Sequence, residues 1–342
     1  METPEQMIGK AVIDSTTSTA TWLIRNTEQV RSFISQVIDE TTMMKIARHL
    51  VIDGPSLDIA NYDIAMGQIS GGLGETTAVT ADDRVIPEFG GRNLTPVNFD
   101  VRFDISQTRL IHDNIINGAL TGELTNAVQR YIGNGIEDIV INSSTGGTGP
   151  AAPAGANTGY YTSIDGLREK SLSGHIYDHS NGYVNPELFK GMLSALPTKW
   201  RGPATASKLR YFTSVKLVDE YSDYLSRRTT PLGDLRMTQD GALAYRGIPI
   251  VPVPFIKDDD YPGALAYSGT TSGFGWVLLT MEDNIVVGWG PEMRMGSHPS
   301  EDLKTLFVSW WGACDTNYPL IDAVVTATNL QPTIDPTLAP AY

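Results

Sequence analysis

Cysteine is almost absent from this chain: Cys314 is the only one in 342 residues, so no internal disulfide can form and a reducing compartment fits. It lies in the apolar run SWWGAC, where a buried, inert thiol is expected. Positive charge is scarce too. Lys and Arg total 25 against 39 Asp and Glu, a net charge of -14 with a pI near 4.7, which argues against a surface built to grip nucleic acid by counterion release. No lysine occurs between Lys45 and Lys170. No window reaches the roughly 18 apolar residues of a membrane span. The start, METPEQMIGK, lacks the basic end and apolar centre of a signal peptide, so the expectation is a protein that is cytosolic where it is made.

Catalytic and cofactor signatures are missing as well. There is no GxxxxGK[ST], no GxGxxG between a strand and a helix, no HExxH and no CxxC pair. The GGTGPAAPAG segment lacks the lysine and helix start of a phosphate cradle and reads as a connector. His175 and His179 in HIYDH stand four apart with Asp178 between them, a spacing that on a helix offers two nitrogens to a metal. Gly174, Gly182 and the neighbouring Ser and Asn favour a loop instead. Asp258, Asp259 and Asp260 lack the spaced carboxylates and glycine turn of a calcium loop. Histidines at 49, 112, 175, 179 and 298 are scattered, and no nucleophile, base and orienter fall together. No catalytic residue, cofactor or metal is expected, and an enzyme is disfavoured.

What is present suits a folded chain with large cores. Hydrophobic residues make up 41% and charged residues 19%, and the length suggests two domains. Residues 26–50 show helical spacing after a capping Asn26, which predicts a two-helix arm. Gln68 to Asp104 is Gly- and Thr-rich with short strand-like runs and reads as a long β-hairpin. Its last run, LTPVNFDVRF, alternates Val97, Phe99, Val101 and Phe103 with polar residues, the period of a half-buried strand. From Ser106, a candidate cap, helical periodicity persists to Val140, with Gly118 and Gly122 as early interruptions and Gly133 and Gly135 as a bend.

A Gly/Pro/Ala-rich stretch, Ser144 to Gly159, marks a domain boundary, and a mixed α/β region follows. In it Asn185–Ala195 and Val215–Leu225 have helical spacing, while LRYFTS, YRGIPIVPVP and FGWVLLT read as strands. Prolines at 249, 252 and 254 confine YRGIPIVPVP to a sheet edge, after the polar, loop-like stretch Arg227 to Ala244. NIVVGWGPEMRMGS and LKTLFVSWWGAC then form a second long hairpin turning at HPSED, and AVVTAT closes the chain as a strand before a Pro-rich tail.

This order of elements resembles the major capsid proteins of tailed bacteriophages, with the α+β Hong Kong 97-type fold. The residues that carry the resemblance are NFDVRFDISQTRLIHDNI, GNGIEDIVINSSTGGTGP, the passage from DEYSDYLSRRTTPLGD to YRGIPIVPVP, and NIVVGWGPEMRM to PLIDAVVTAT. The resemblance covers roughly Ile64 to Asn329, and the shared order of these motifs is more specific than any one of them. The resemblance implies an N-terminal arm (1–65), an extended E-loop (66–98), a peripheral domain (99–164 and 278–318) with a spine helix near 106–142 and a long hairpin near 284–314, an axial domain (165–277 and 319–330) and a tail (331–342).

It also implies a structural subunit that self-assembles as hexamers and pentamers into an icosahedral shell around double-stranded DNA, in the host cytoplasm and then the virion. Interface candidates are Gly72, Glu75, Arg84, Glu88 and Arg92 in the E-loop, Arg227, Arg228 and Asp234 in the axial loop, and His298, Glu301 and Asp302 at the peripheral hairpin tip. In the type member an E-loop lysine forms an isopeptide bond to a neighbour. The lysine-free stretch rules out that route for this loop, leaving arms, buried area or a decoration protein to stabilise the shell. Only about 60 residues precede the E-loop, so a separate scaffolding protein is expected, with a portal as a further partner. The alternatives are an encapsulin-type nanocompartment shell and, from another class, a metal-dependent hydrolase using His175, Asp178 and His179.

Overall fold

The computed structural model describes residues 21–24, 41–63, 88–106, 119–146, 159–226, 243–256, 275–291, 293–300 and 305–331. Among them, two six-stranded sheets share a core with one long helix.

The first sheet is organised by β13 (Thr305–Asn317). One edge of it pairs with β5 (Val97–Ser106) from Thr305 to Cys314. Its other edge pairs with β12 (Met293–Ser300) and then with β11 (Val286–Trp289). Outside these, β1 (Thr21–Ile24) extends β12, and β2 (Arg48–Val51) runs parallel to β11. The second sheet has the order β6 (His175–Tyr183), β14 (Val325–Gln331), β10 (Gly275–Met281), β7 (Leu209–Thr213), β9 (Ile248–Pro252), β8 (Ala244–Tyr245). A separate two-stranded hairpin joins β3 (Leu57–Asp63) to β4 (Glu88–Leu94). β4 lies within the expected E-loop (66–98), whereas its partner β3 falls in the stretch expected to be arm (1–65); residues 64–87 lie outside the described residues.

β10 explains why FGWVLLT reads as an unbroken apolar run. All seven of its residues are buried, with Leu278 in the core shared with the first sheet and Val277 and Leu279 in a second core on the opposite face. A strand covered on both faces has no position for a polar residue to reach water. The second core is closed by α4 (Pro186–Ala195) and α6 (Val215–Ser226), the helices expected at those positions. Asn185 caps α4, its Oδ1 accepting the Leu188 N–H at 3.0 Å, and Ser214 does the same for Leu217 at 3.2 Å. Two further helices are short: α3 (Leu167–Ser171), whose Leu167 lies in the core shared with the first sheet, and α5 (Pro203–Ala206). The expected domain boundary at 277–278 falls inside β10.

The long helix α2 (Ala119–Asn142) passes Gly122, Gly133 and Gly135 without interruption. Its inward stripe is Ile132, Ile136 and Val140, all buried. Ser106, expected to cap this helix, is instead the last residue of β5, paired with Thr305. The intervening residues 107–118 lie outside the described residues. A short helix, α1 (Thr42–Ile46), matches part of the expected arm. Residues 48–50, expected to be helical, belong to the strand β2. Arg48 donates its backbone N–H to Ile285 O and Ile52 to Trp289 O, both at 2.8 Å. A short apolar run fits either structure, and pairing with β11 decides.

The proline-bearing run is indeed near a sheet edge. β9 has only the two-residue β8 outside it, reached through a tight turn with Arg246 and Gly247 both at positive φ (50° and 83°). Ile250 sends its N–H outward to Leu243 O. By alternation, the donor missing from Pro252 lies on that same outward side, so the open edge is blunted.

Candidate assembly surfaces

Three buried or half-buried polar junctions tie separate elements together. The first holds α1. Glu137, on α2 and fully buried, reaches across to α1, and its Oε1 accepts the Met43 backbone N–H at 2.5 Å. It thereby supplies the acceptor that Thr41 lacks, since Thr41 makes no side-chain cap. Burial pushes the Glu137 carboxyl upward, while hydrogen bonds from Met43, Met44 and Thr42 pull the other way. On the far side of α1, His49 Nε2 stands 2.7 Å from Met44 O, and Trp289 donates its indole N–H to His49 Nδ1 at 2.9 Å.

The second junction fixes the root of the β3–β4 hairpin. Asp315 Oδ2 accepts the Thr95 N–H at 2.8 Å, and Asn317 donates to Asn93 O at 2.9 Å. Asp315 Oδ1 takes the Lys170 ammonium at 2.7 Å and the Thr316 N–H at 2.7 Å. Lys170 also donates to Thr316 O. Beneath them Ile52, Leu94 and Val286 form a small apolar cluster. It depends on Gly288, where an added Cβ would lie 2.7 Å from Ile52 Cδ1 and 3.1 Å from Leu94 Cδ1.

The third joins α2 to the second sheet. Asp138 accepts from Tyr161 OH at 2.6 Å and Asn142 Nδ2 at 2.7 Å. Asn142 also donates to Phe255 O at 2.8 Å, beyond the end of β9. Burial, with Asp138 close by, drives the Tyr160 phenol well above its ordinary range.

Of the sequence-derived interface candidates, Glu88 and Arg92 lie on β4, paired with Asp63 and Ile59. His298 is not in a turn: His298, Pro299 and Ser300 continue β12, opposite Phe307, Leu306 and Thr305. Gly72, Glu75, Arg84, Arg227, Arg228, Asp234, Glu301 and Asp302 lie outside the described residues.

HIYDH is also a correction, being part of the edge strand β6 and not a loop. Pairing with β14 from His175 to Tyr183 overrides the Gly and Asn signals. In a strand, residues four apart are about 13 Å apart, too far for His175 and His179 to share a metal. His179 Nε2 already meets Tyr183 O at 3.0 Å. Among the described residues no group of three His, Cys, Asp or Glu is placed to hold a metal ion, and no helix is long and apolar enough to cross a membrane.

The junction residues themselves escaped motif reading. A signal existed for one pair: Glu137 and Asp138 are two carboxylates inside an otherwise apolar helix run. His49, Lys170 and Asp315 carry no local signal, because their partners lie 240, 145 and 220 residues away.

No protein-family profile and no curated protein matches the chain. Solved structures do. A chain of the satellite phage P4 procapsid, which includes the size determination protein, aligns over 97% of this chain and 98% of its own, with a TM-score of 0.61 at 10% identity. A cyanophage A-1(L) capsid chain aligns over 84% and 92%, with 0.55 at 12%. The SrpI encapsulin of Synechococcus elongatus aligns over 84% and 88%, with 0.54 at 12%. At such identities the likeness concerns architecture, and with the P4 procapsid chain it extends over nearly the whole chain. The chain has the Hong Kong 97-type capsid fold.

Proposed function

We propose that the chain is the major capsid subunit of a tailed bacteriophage, assembling as hexamers and pentamers into an icosahedral shell around packaged double-stranded DNA. The observation that carries this reading is the near end-to-end correspondence with the P4 procapsid chain. Two further features support it. Separate elements are tied together by buried or half-buried polar junctions, which suits a subunit that must engage neighbours without coming apart. The net charge of -14 keeps an enclosed polyanion from sticking.

In this reading the role is structural, assembly in the host cytoplasm uses a separate scaffolding protein and a portal, and interdigitated arms, buried area or a decoration protein take the place of a lysine cross-link. The contacts are made by Gly72, Glu75, Arg84, Glu88 and Arg92 of the E-loop, Arg227, Arg228 and Asp234 of the axial loop, and His298, Glu301 and Asp302 of the peripheral hairpin. The enclosed DNA is held without sequence-specific contacts. Gly133 and Gly135 let α2 bend in an immature shell. The test is electron microscopy of the chain expressed with its neighbouring gene products. Icosahedral shells with hexameric and pentameric capsomers are expected; a soluble monomer under every co-expression condition overturns the proposal. The encapsulin reading is kept alive by the SrpI likeness. Particle content separates the two, since an encapsulin-type shell holds protein cargo and a phage head takes up nuclease-protected DNA.

A further inference from the structure

One ionisable ring bonds both to α1 and to β11. His49 Nδ1 receives the Trp289 indole N–H at 2.9 Å. An indole nitrogen can only donate, so Nδ1 must present a lone pair. The other ring nitrogen, Nε2, stands 2.7 Å from Met44 O, which can only accept, so Nε2 carries the proton. The two partners together define a neutral imidazole in a single tautomer. They also belong to different elements: Met44 to α1, Trp289 to β11, and His49 to β2, whose pairing with β11 sets it opposite Val287.

We propose that His49 is a proton-operated latch between α1 and β11. With Nδ1 unprotonated it ties α1 and β2 to β11. A second proton turns Nδ1 into a donor facing a donor, the Trp289 bond is lost, and β2 loosens from β11 while Met44 keeps its bond to Nε2.

The surroundings agree with that sense of action. Burial is the larger cause holding the His49 pKa below 6.5, with the Met44 bond opposing it, and no charged side chain is among the causes. The sign follows: the neutral ring's contribution is present above pH 6.5 and is lost as the pH falls through the lowered folded value. The charged groups nearby are Lys45 on α1 and Arg48 on β2, both exposed, and Glu137 at the opposite end of α1. Glu137 titrates with the opposite sign, its folded pKa being raised. Its effect is therefore separable from that of His49.

The test is hydrogen exchange on the full-length chain at pH 7.5 and 5.0, corrected for intrinsic exchange. The amides of Arg48 and Ile52, which bond Ile285 and Trp289 carbonyls, are expected to lose protection at pH 5.0 relative to pH 7.5. Amides of β14 keep theirs. The loss should vanish in His49→Gln and persist in Glu137→Gln. Trp289→Phe, which removes the donor, should lower protection already at pH 7.5 and shrink the pH-dependent loss. Unchanged protection in the wild type, loss that survives His49→Gln, or loss abolished by Glu137→Gln overturns the latch. If His49→Gln does not fold, carbon-13 shifts of histidine-labelled wild type decide. An Nε2–H ring that protonates together with the exchange transition supports the proposal, and one that stays neutral through it overturns it.

Discussion

Asp315 and Thr95 stand 220 residues apart in sequence and 2.8 Å apart in space, the carboxylate accepting the backbone N–H at the root of the β3–β4 hairpin. The same carboxylate takes the Lys170 ammonium, with side-chain exposures of 8% and 21%, so hairpin, first sheet and α3 meet at one side chain. Asp315→Ala removes all of these bonds and strands a partly buried cation. A loss of about 3 kcal/mol in urea unfolding is expected, near the low end for breaking a buried pair. Adding Lys170→Met should recover part of it. Coincident unfolding curves for wild type and Asp315→Ala would refute the role given to this junction.

Glu137 makes a pH-dependent prediction. Its folded pKa is raised above 4.5, burial being the largest cause, so folding favours the protonated form. That contribution is fully present below pH 4.5 and is lost as pH rises through the folded value. Glu137→Gln, which cannot ionise, should therefore cost less stability at pH 7.5 than at pH 4.5. Glu137→Ala, which orphans the Met43 N–H, should cost about 1–3 kcal/mol at either pH. Thermal melts at the two pH values give the answer, and a larger Gln penalty at pH 7.5 reverses the sign argued for the group.

Two glycine-to-alanine changes should move stability in opposite directions. At Gly288 the new Cβ meets Ile52 and Leu94 side chains at 2.7 and 3.1 Å, and overpacking of about 1–3 kcal/mol is expected. At Gly135, inside α2, its nearest neighbour is Tyr160 OH at an ordinary 3.7 Å, so the helix should gain up to about 1 kcal/mol. Calorimetry on both variants tests the pair; a stabilised Gly288→Ala would mean that the Ile52 and Leu94 cluster has slack.

The Cys314 thiol should be silent. Burial, with Asp315 beside it, pushes its pKa up to about 12, leaving almost no thiolate at neutral pH. An aromatic disulfide reagent at pH 8 is expected to react only after denaturant is added. Stoichiometric labelling of the native chain would show that β13 opens readily.

Elements whose signal is local were legible in the sequence. The helices α4 and α6 begin at a capping Asn and Ser, β5 shows its alternation, and the prolines around β9 announced an edge. Ser106 and residues 48–50 depart from the sequence reading for a shared reason: each sits where a short segment is equally suited to two structures, and a partner far along the chain chooses. HIYDH erred in the same way, since β14 recruits it into the sheet despite its turn-forming neighbours. Junction chemistry was harder still. A lone carboxylate such as Asp315 looks like any surface acid until the fold brings Lys170 and Thr95 to it.

β13 and β14 give the fold a timing. β5, β11 and β12 all pair with β13, and β6 and β10 both pair with β14. Neither sheet can close until residues 305–331 have left the ribosome. Up to that moment a nascent chain presents open strands but no finished body, and such long-range pairing is slow. The last strands of the chain therefore complete both sheets, so the body finishes folding only after their synthesis and not progressively from the N-terminal end.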